Sequence, residues 1–122
     1  MIQLTPHMRI LLHVEPIDFR KGIDGMAAVC RKALCADPLN GSLFVFINRS
    51  RSAIKLLSYD GQGMWLMHKR LSQGKFRWWP RAGEQKVARE LAVHELQLLL
   101  WNGDLQSAVT EPMWRPLRQN SP

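Results

Sequence analysis

The sequence predicts an α+β domain built as an antiparallel β-meander with two main helices. Three observations predict it. Short apolar or alternating runs over 43–47, 53–59 and 64–70 follow one another, with Gly- and Ser-bearing turn signals between them. Apolar residues recur at helical spacing in one stretch before these runs and in another after them. The chain has 122 residues with 46% apolar content, which suits one domain with one core.

In chain order, Met8–Val14 is a short β-like run, and Glu15-Pro16 ends it because Pro cannot continue a ladder. Asp18 suits a helix N-cap. Phe19, Ile23, Met26, Cys30 and Leu34 then mark an amphipathic helix over 18–35, with Arg20, Lys21, Arg31 and Lys32 off the apolar stripe. Asp37-Pro38-Leu39-Asn40-Gly41 is a dense turn signal. Leu43–Ile47 is apolar without alternation, as a central strand covered on both faces would be. Asn48–Ser52 is a loop carrying Arg49 and Arg51, and 53–59 is the next strand. The turn Asp60-Gly61-Gln62-Gly63 is so short that one of its glycines should have a positive φ.

The stretch Leu57–Pro80 stands out. It reads as a basic, tryptophan-bearing hairpin turning at Ser72-Gln73-Gly74. That register sets Lys69 opposite Arg77 and Met67 opposite Trp79. Trp65, Met67, Lys69, Lys75, Arg77 and Trp79 then share one face. Two cations side by side destabilise a sheet, so the pair asks for an anion. A solvated strand face, with cationic stems lying on tryptophan rings, fits the same pattern.

Pro80 stops the last strand, and 81–90 reads as a polar connector. A second, largely buried helix runs from Leu91 to about Asn102 and stops at Gly103. The single domain is expected over 1–109, with 110–122 a loosely ordered tail.

Net charge is +7, and it is concentrated. From 48 to 89 there are ten lysines and arginines against Asp60 and Glu84. A concentrated basic region favours a polyanion partner. No apolar run approaches a membrane span, and the N-terminal residues lack a secretory pattern. Cys30 and Cys35 are spaced for different helix faces, so neither a disulfide nor a metal pair is expected, and a cytoplasmic protein is the simple reading.

No catalytic set, cofactor or metal site is expected. A two-metal nuclease needs converging carboxylates. Asp18, Asp24 and Asp60 are the only tempting set, and Asp18 and Asp60 have duller readings as a cap and a turn residue. A nicking enzyme would want paired histidines and a tyrosine. His7, His13, His68 and His94 are scattered, and Tyr59 is the one tyrosine. Zinc lacks a ligand set.

The order of three motifs resembles a known family. They are Asp18-Phe19-Arg20-Lys21-Gly22-Ile23-Asp24-Gly25, then Gly41–Phe46, then Tyr59–Gly63 through Lys69-Arg70-Leu71 to Phe76 and Pro80. Together they resemble the TnpB accessory proteins, second-reading-frame products of insertion-sequence-sixty-six elements, from about Met8 to Leu105. The chain departs from that pattern at Ser58, where an aromatic residue is usual, and at Ala92, where a Thr cap is usual. The resemblance implies a role in transposition beside a separate transposase.

Two functions of different kinds follow, with a nuclease-type enzyme as a remote third. One is DNA binding: Arg49, Arg51, Lys69, Arg70, Lys75 and Arg77 contact phosphates, Trp65 and Trp79 stack on bases, and Arg20 and Lys21 assist. The other is docking of the transposase without direct DNA contact, since tryptophan also anchors protein interfaces. Oligomeric state is left open by the sequence.

Overall fold

The computed structural model describes residues 8–81 and 87–106. The tail expected over 110–122 lies outside them, as do 82–86 of the expected connector. Five strands and two helices follow in the order β1 (Ile10–His13), α1 (Ile23–Lys32), β2 (Leu43–Ile47), β3 (Ala53–Tyr59), β4 (Met64–Arg70), β5 (Ala88–Leu91) and α2 (Val93–Leu100). The strands form one sheet in the order β4-β3-β2-β1-β5.

The α+β class and the meander through β2, β3 and β4 are as expected. The sheet is not wholly antiparallel, because β1 pairs with β2 in parallel. Parallel neighbours need a crossover rather than a hairpin, and α1 supplies it. α1 covers one face of the sheet, where Met26, Ala27 and Cys30 pack with Leu11, Phe44, Phe46 and Leu57. α2 covers the other, where Leu96 and Leu99 pack with Ile10, Leu12, Val45 and Leu56. β2 lies between these layers and is buried throughout, which accounts for its unbroken apolar run.

The hairpin strand expected over 75–79 is not formed, and Lys69 has no cross-strand partner at Arg77. The reason is in the burial pattern. Phe76, Trp78 and Trp79 are all buried on the α2 side. Adjacent residues of a strand point to opposite faces, so Trp78 and Trp79 could not both enter that core from a strand. The chain instead leaves β4 and crosses the sheet's face to the far edge, where 88–90 of the expected connector and Leu91, the expected start of the second helix, form β5 antiparallel to β1. Its backbone is held from outside the ladder. The Phe76 N–H donates to the Arg51 carbonyl (2.8 Å), and the Arg77 N–H donates to Asn102 Oδ1 (2.7 Å).

Both helices are shorter than expected. α1 begins at Ile23 with Gly22 as N-cap, not at Asp18. The Asp18 carboxylate is taken by its own neighbour: Oδ1 accepts from the Arg20 N–H (2.9 Å) and Oδ2 from Arg20 Nη2 (2.7 Å). Ala92 opens α2 without a side-chain cap, but Glu95 reaches back to accept the Ala92 N–H (2.9 Å), satisfying one end of a capping box. The helix ends at Leu100 with Trp101 as C-cap, and Asn102 rather than Gly103 is the left-handed stop residue. Asn102 takes the left-handed conformation (φ 56), and Gly103 N–H to Leu98 O (2.7 Å) with Asn102 N–H to Leu99 O (2.9 Å) closes a Schellman motif.

Candidate nucleic-acid interface

One rim of the sheet gathers much of the predicted basic set. It lies at the C-terminal ends of β1 and β2, where β3 begins and β4 ends. Asn48 builds the loop there. Its Oδ1 accepts the N–H groups of Ser52 (3.0 Å) and Ala53 (3.1 Å), and its carbonyl accepts the Arg51 N–H (3.1 Å). Arg51 takes a left-handed conformation (φ 59) to complete the turn. β4 ends on this loop: Arg70 pairs opposite Ala53, and the Leu71 N–H donates to the Ser52 carbonyl (2.9 Å). With Phe76 hydrogen-bonded to Arg51, Lys75 is brought to the same rim. Arg49, Arg70 and Lys75 are exposed and Arg51 is half-buried; none is in an ion pair with a described residue.

Beside the rim runs the strap 17–21, anchored by the Ile17 N–H on the Ile47 carbonyl (2.9 Å). It brings Arg20 close to the loop, where Arg20, Arg49 and Ser50 line one open groove with Asp18 and Phe19, and Lys21 is the next residue of the strap, against α1. Gly25 lets the strap lie tight on α1, since a Cβ there would sit 2.9 Å from the Lys21 Cβ. The charges of Arg20 and Asp18 largely cancel. Hydrogen bonds from Arg20, with a lesser pull from Arg49, hold the Asp18 carboxyl down to about 2.

Other predicted site residues are placed elsewhere. Trp79 cannot offer a stacking face: it is 6% exposed, and its Nε1 donates to the Val14 carbonyl (2.8 Å) inside the core. Lys69 ties β4 to the end of α2. Its amine donates to the Leu100 carbonyl and lies over the Trp101 ring, 5.4 Å from the centroid, and burial lowers its pKa. A cation at a helix C-terminus also suits the dipole. Arg77 is exposed beside that end, its backbone fixed by Asn102. Trp65 is exposed, but it stands at the other end of β4, five residues or about 17 Å from Arg70. There its Nε1 donates to Asp60 Oδ2 (2.7 Å).

The tempting carboxylates do not converge. Asp18 stands at the rim, whereas Asp60 lies beyond the far end of β3, roughly 20 Å away. The turn at Asp60 forms as expected, with Gly61 at φ 95. The Asp60 carboxylate accepts from the Gly63 and Gln62 N–H groups and from Trp65, which holds its pKa down to about 2. His13 is buried and structural: its Nδ1 bonds the Glu15 carbonyl (2.8 Å), and desolvation lowers its pKa. The buried Cys30 thiol is pushed up to about 12 by desolvation and is inert as a nucleophile.

Trp101, not among the predicted site residues, lies at the end of the helix that the sequence reads as largely buried, yet its ring is 59% exposed beside Lys69. The signal was the Asn-Gly pair after it, which ends the helix and leaves its C-cap residue at the surface.

These features define a small α+β domain with a basic rim. The chain belongs to the IS66 Orf2-like protein family, whose pattern matches residues 8–109. That is a family of insertion-sequence products with an accessory role in the element. The chain is 33% identical to the uncharacterized proteins y4jC and y4hO of Sinorhizobium fredii, in each case over 97% of this chain and 98% of the relative. No solved structure matches it. No helix among the described residues is long and apolar enough to cross a membrane.

Proposed function

We propose that the protein is a DNA-binding accessory factor in transposition of its element, acting in the cytoplasm beside a separate transposase. The observation that carries this reading is the rim. Arg49, Arg51, Arg70 and Lys75 come from two loops and a strand end, converge on one edge, and have no ion-pair partner among the described residues. Such a cluster repels itself in the free protein and is relieved by phosphates, whose counterions are released. Arg20 and Lys21 extend the surface on one side, and Arg77 and Lys69 on the other. Their share is smaller where the charge is already committed, to Asp18 for Arg20 and to the α2 end for Lys69.

A second reading, docking of the transposase without DNA contact, has its own support in the exposed rings of Trp65 and Trp101. Anisotropy of a labelled duplex, titrated with the purified protein between about 50 and 200 mM salt, separates the two. The DNA reading expects binding to bare duplex with a log–log salt slope of about −3 to −4, close to 0.9 for each rim cation. Failure to bind bare DNA at low salt, with capture only when transposase is added, would overturn it.

A further inference from the structure

The two edges of the sheet are guarded differently. β5 has four residues, carries Arg89 and Glu90, and has Glu90 paired to Arg9 (3.7 Å). A short, charged edge resists strand addition. β4 has seven residues, with no proline, and keeps an unbroken register on β3 from Tyr59↔Met64 to Ala53↔Arg70.

The phase of the β3–β4 ladder is fixed at both ends, by Asp60 N–H to Gly63 O (3.1 Å) and Leu71 N–H to Ser52 O (2.9 Å). Bonded and non-bonded pairs alternate in an antiparallel ladder. Trp65, Met67 and Lys69 therefore spend their backbone groups on β3. Met64, Leu66, His68 and Arg70 aim theirs at the open edge, and no described residue bonds them there.

We propose that this edge is a homodimer interface, with β4 of a second copy added antiparallel in a register centred on Met67. That register pairs all seven residues: Met64 with Arg70, Trp65 with Lys69, Leu66 with His68, and Met67 with itself. All four outward residues fall on hydrogen-bonded pairs, and no two cations stand opposite each other. Centring on Leu66 or His68 shortens the ladder, and the latter sets His68 against its own copy.

The side chains favour a second copy over a foreign strand. Trp65 and Lys69 form a non-bonded pair, the closer kind, and both point to the α2 side of the sheet. The Lys69 amine is already held over Trp101, so its stem offers an apolar surface with a fixed charge. The Trp65 ring of the second copy packs there as a cation–π partner. Trp65 and Trp101, 39% and 59% exposed, are thus both covered, and two-fold symmetry makes the contact twice. The product is a continuous sheet of two five-stranded halves.

Sedimentation of the full chain from about 1 to 100 µM tests this. The expected species is twice the 14.1 kDa chain mass. His68→Pro removes an outward N–H without touching the β3 ladder, and is expected to weaken the dimer about tenfold or more while the monomer stays folded. Trp65→Lys sets cation against cation and weakens it similarly, whereas Trp65→Glu, opposite Lys69, retains it. A monomer at every concentration overturns the proposal and leaves the edge to a strand of another protein. A dimer that survives both His68→Pro and Trp65→Lys overturns it as well.

Discussion

At the basic rim, the amide oxygen of Asn48 accepts two backbone N–H groups and closes the turn from β2 to β3; at the opposite end of the sheet, a carboxylate oxygen of Asp60 does the same for the turn from β3 to β4. The device is shared, but the charges are not. The Asp60 turn carries one anion, and its own backbone and Trp65 use it up. The Asn48 turn is closed by a neutral side chain, and the nearest carboxylate, Asp18, is bonded to Arg20, so Arg49 and Arg51 are in no ion pair with a described residue. A turn that satisfies itself has little left to offer a ligand. One that gathers cations without ion-pair partners gives a polyanion something to relieve, which is why the rim rather than the tryptophan-bearing turn is the proposed DNA surface.

The largest expected effect concerns which tryptophan belongs to the fold. Trp79→Ala should cost about 3–5 kcal/mol, because it empties the core and strands the Val14 carbonyl. Trp65→Ala should cost less than about 1 kcal/mol, since the ring is exposed and its partner is solvated. Urea unfolding of both variants checks the order, and comparable losses would place Trp65 in the core too.

Gly61→Val comes next. A Cβ at Gly61 meets nothing within 4 Å, so the cost is backbone strain at φ 95, about 1–2 kcal/mol. The melting temperature should fall while DNA affinity of the folded protein is unchanged. An unchanged melting temperature would remove the strain assignment.

The smallest effect is the pH dependence of the Asp60 turn. Its folded pKa, about 2, lies below the ordinary 3.8. A depressed carboxyl stabilises the fold above its unfolded pKa, and that contribution is lost as pH falls through the folded value. Asp18, held to about 2 by Arg20, acts in the same window. Thermal melts between about pH 4 and pH 2 should therefore decline less steeply for Asp60→Asn, which keeps the turn's acceptor but not its charge. A slope identical to the parent's would show that the carboxylate is not perturbed.

Much of this was legible in local sequence. The unbroken apolar run of β2, the short turn before β4 and the stripe of α2 each report a local pattern that the fold keeps. What was not legible depends on partners far along the chain. Strand-like spacing over 75–79 gave way because Trp78 and Trp79 both find room under the sheet, and because Asn102, more than twenty residues on, supplies the backbone partners a second strand would have given. β5 looked like a connector because an edge strand of four residues carries little apolar pattern of its own. Of the candidate site, Arg49, Arg51, Arg70 and Lys75 were readable as a charge cluster, and the rim joins them. Trp79 was misread as an outward residue because the hairpin that would have turned it outward does not form, and for the same reason Lys69 lacks Arg77 as a cross-strand neighbour.

The most direct test sets the two ends against each other in one salt titration. A rim variant, with Arg49, Arg51, Arg70 and Lys75 all changed to Gln, is compared with Trp65→Ala at the turn end, both checked for an unchanged melt. The account predicts that the rim variant loses about three units of log–log slope and most of its affinity for duplex DNA, while the turn variant keeps both. A rim variant that binds with the parent's slope and affinity would contradict it.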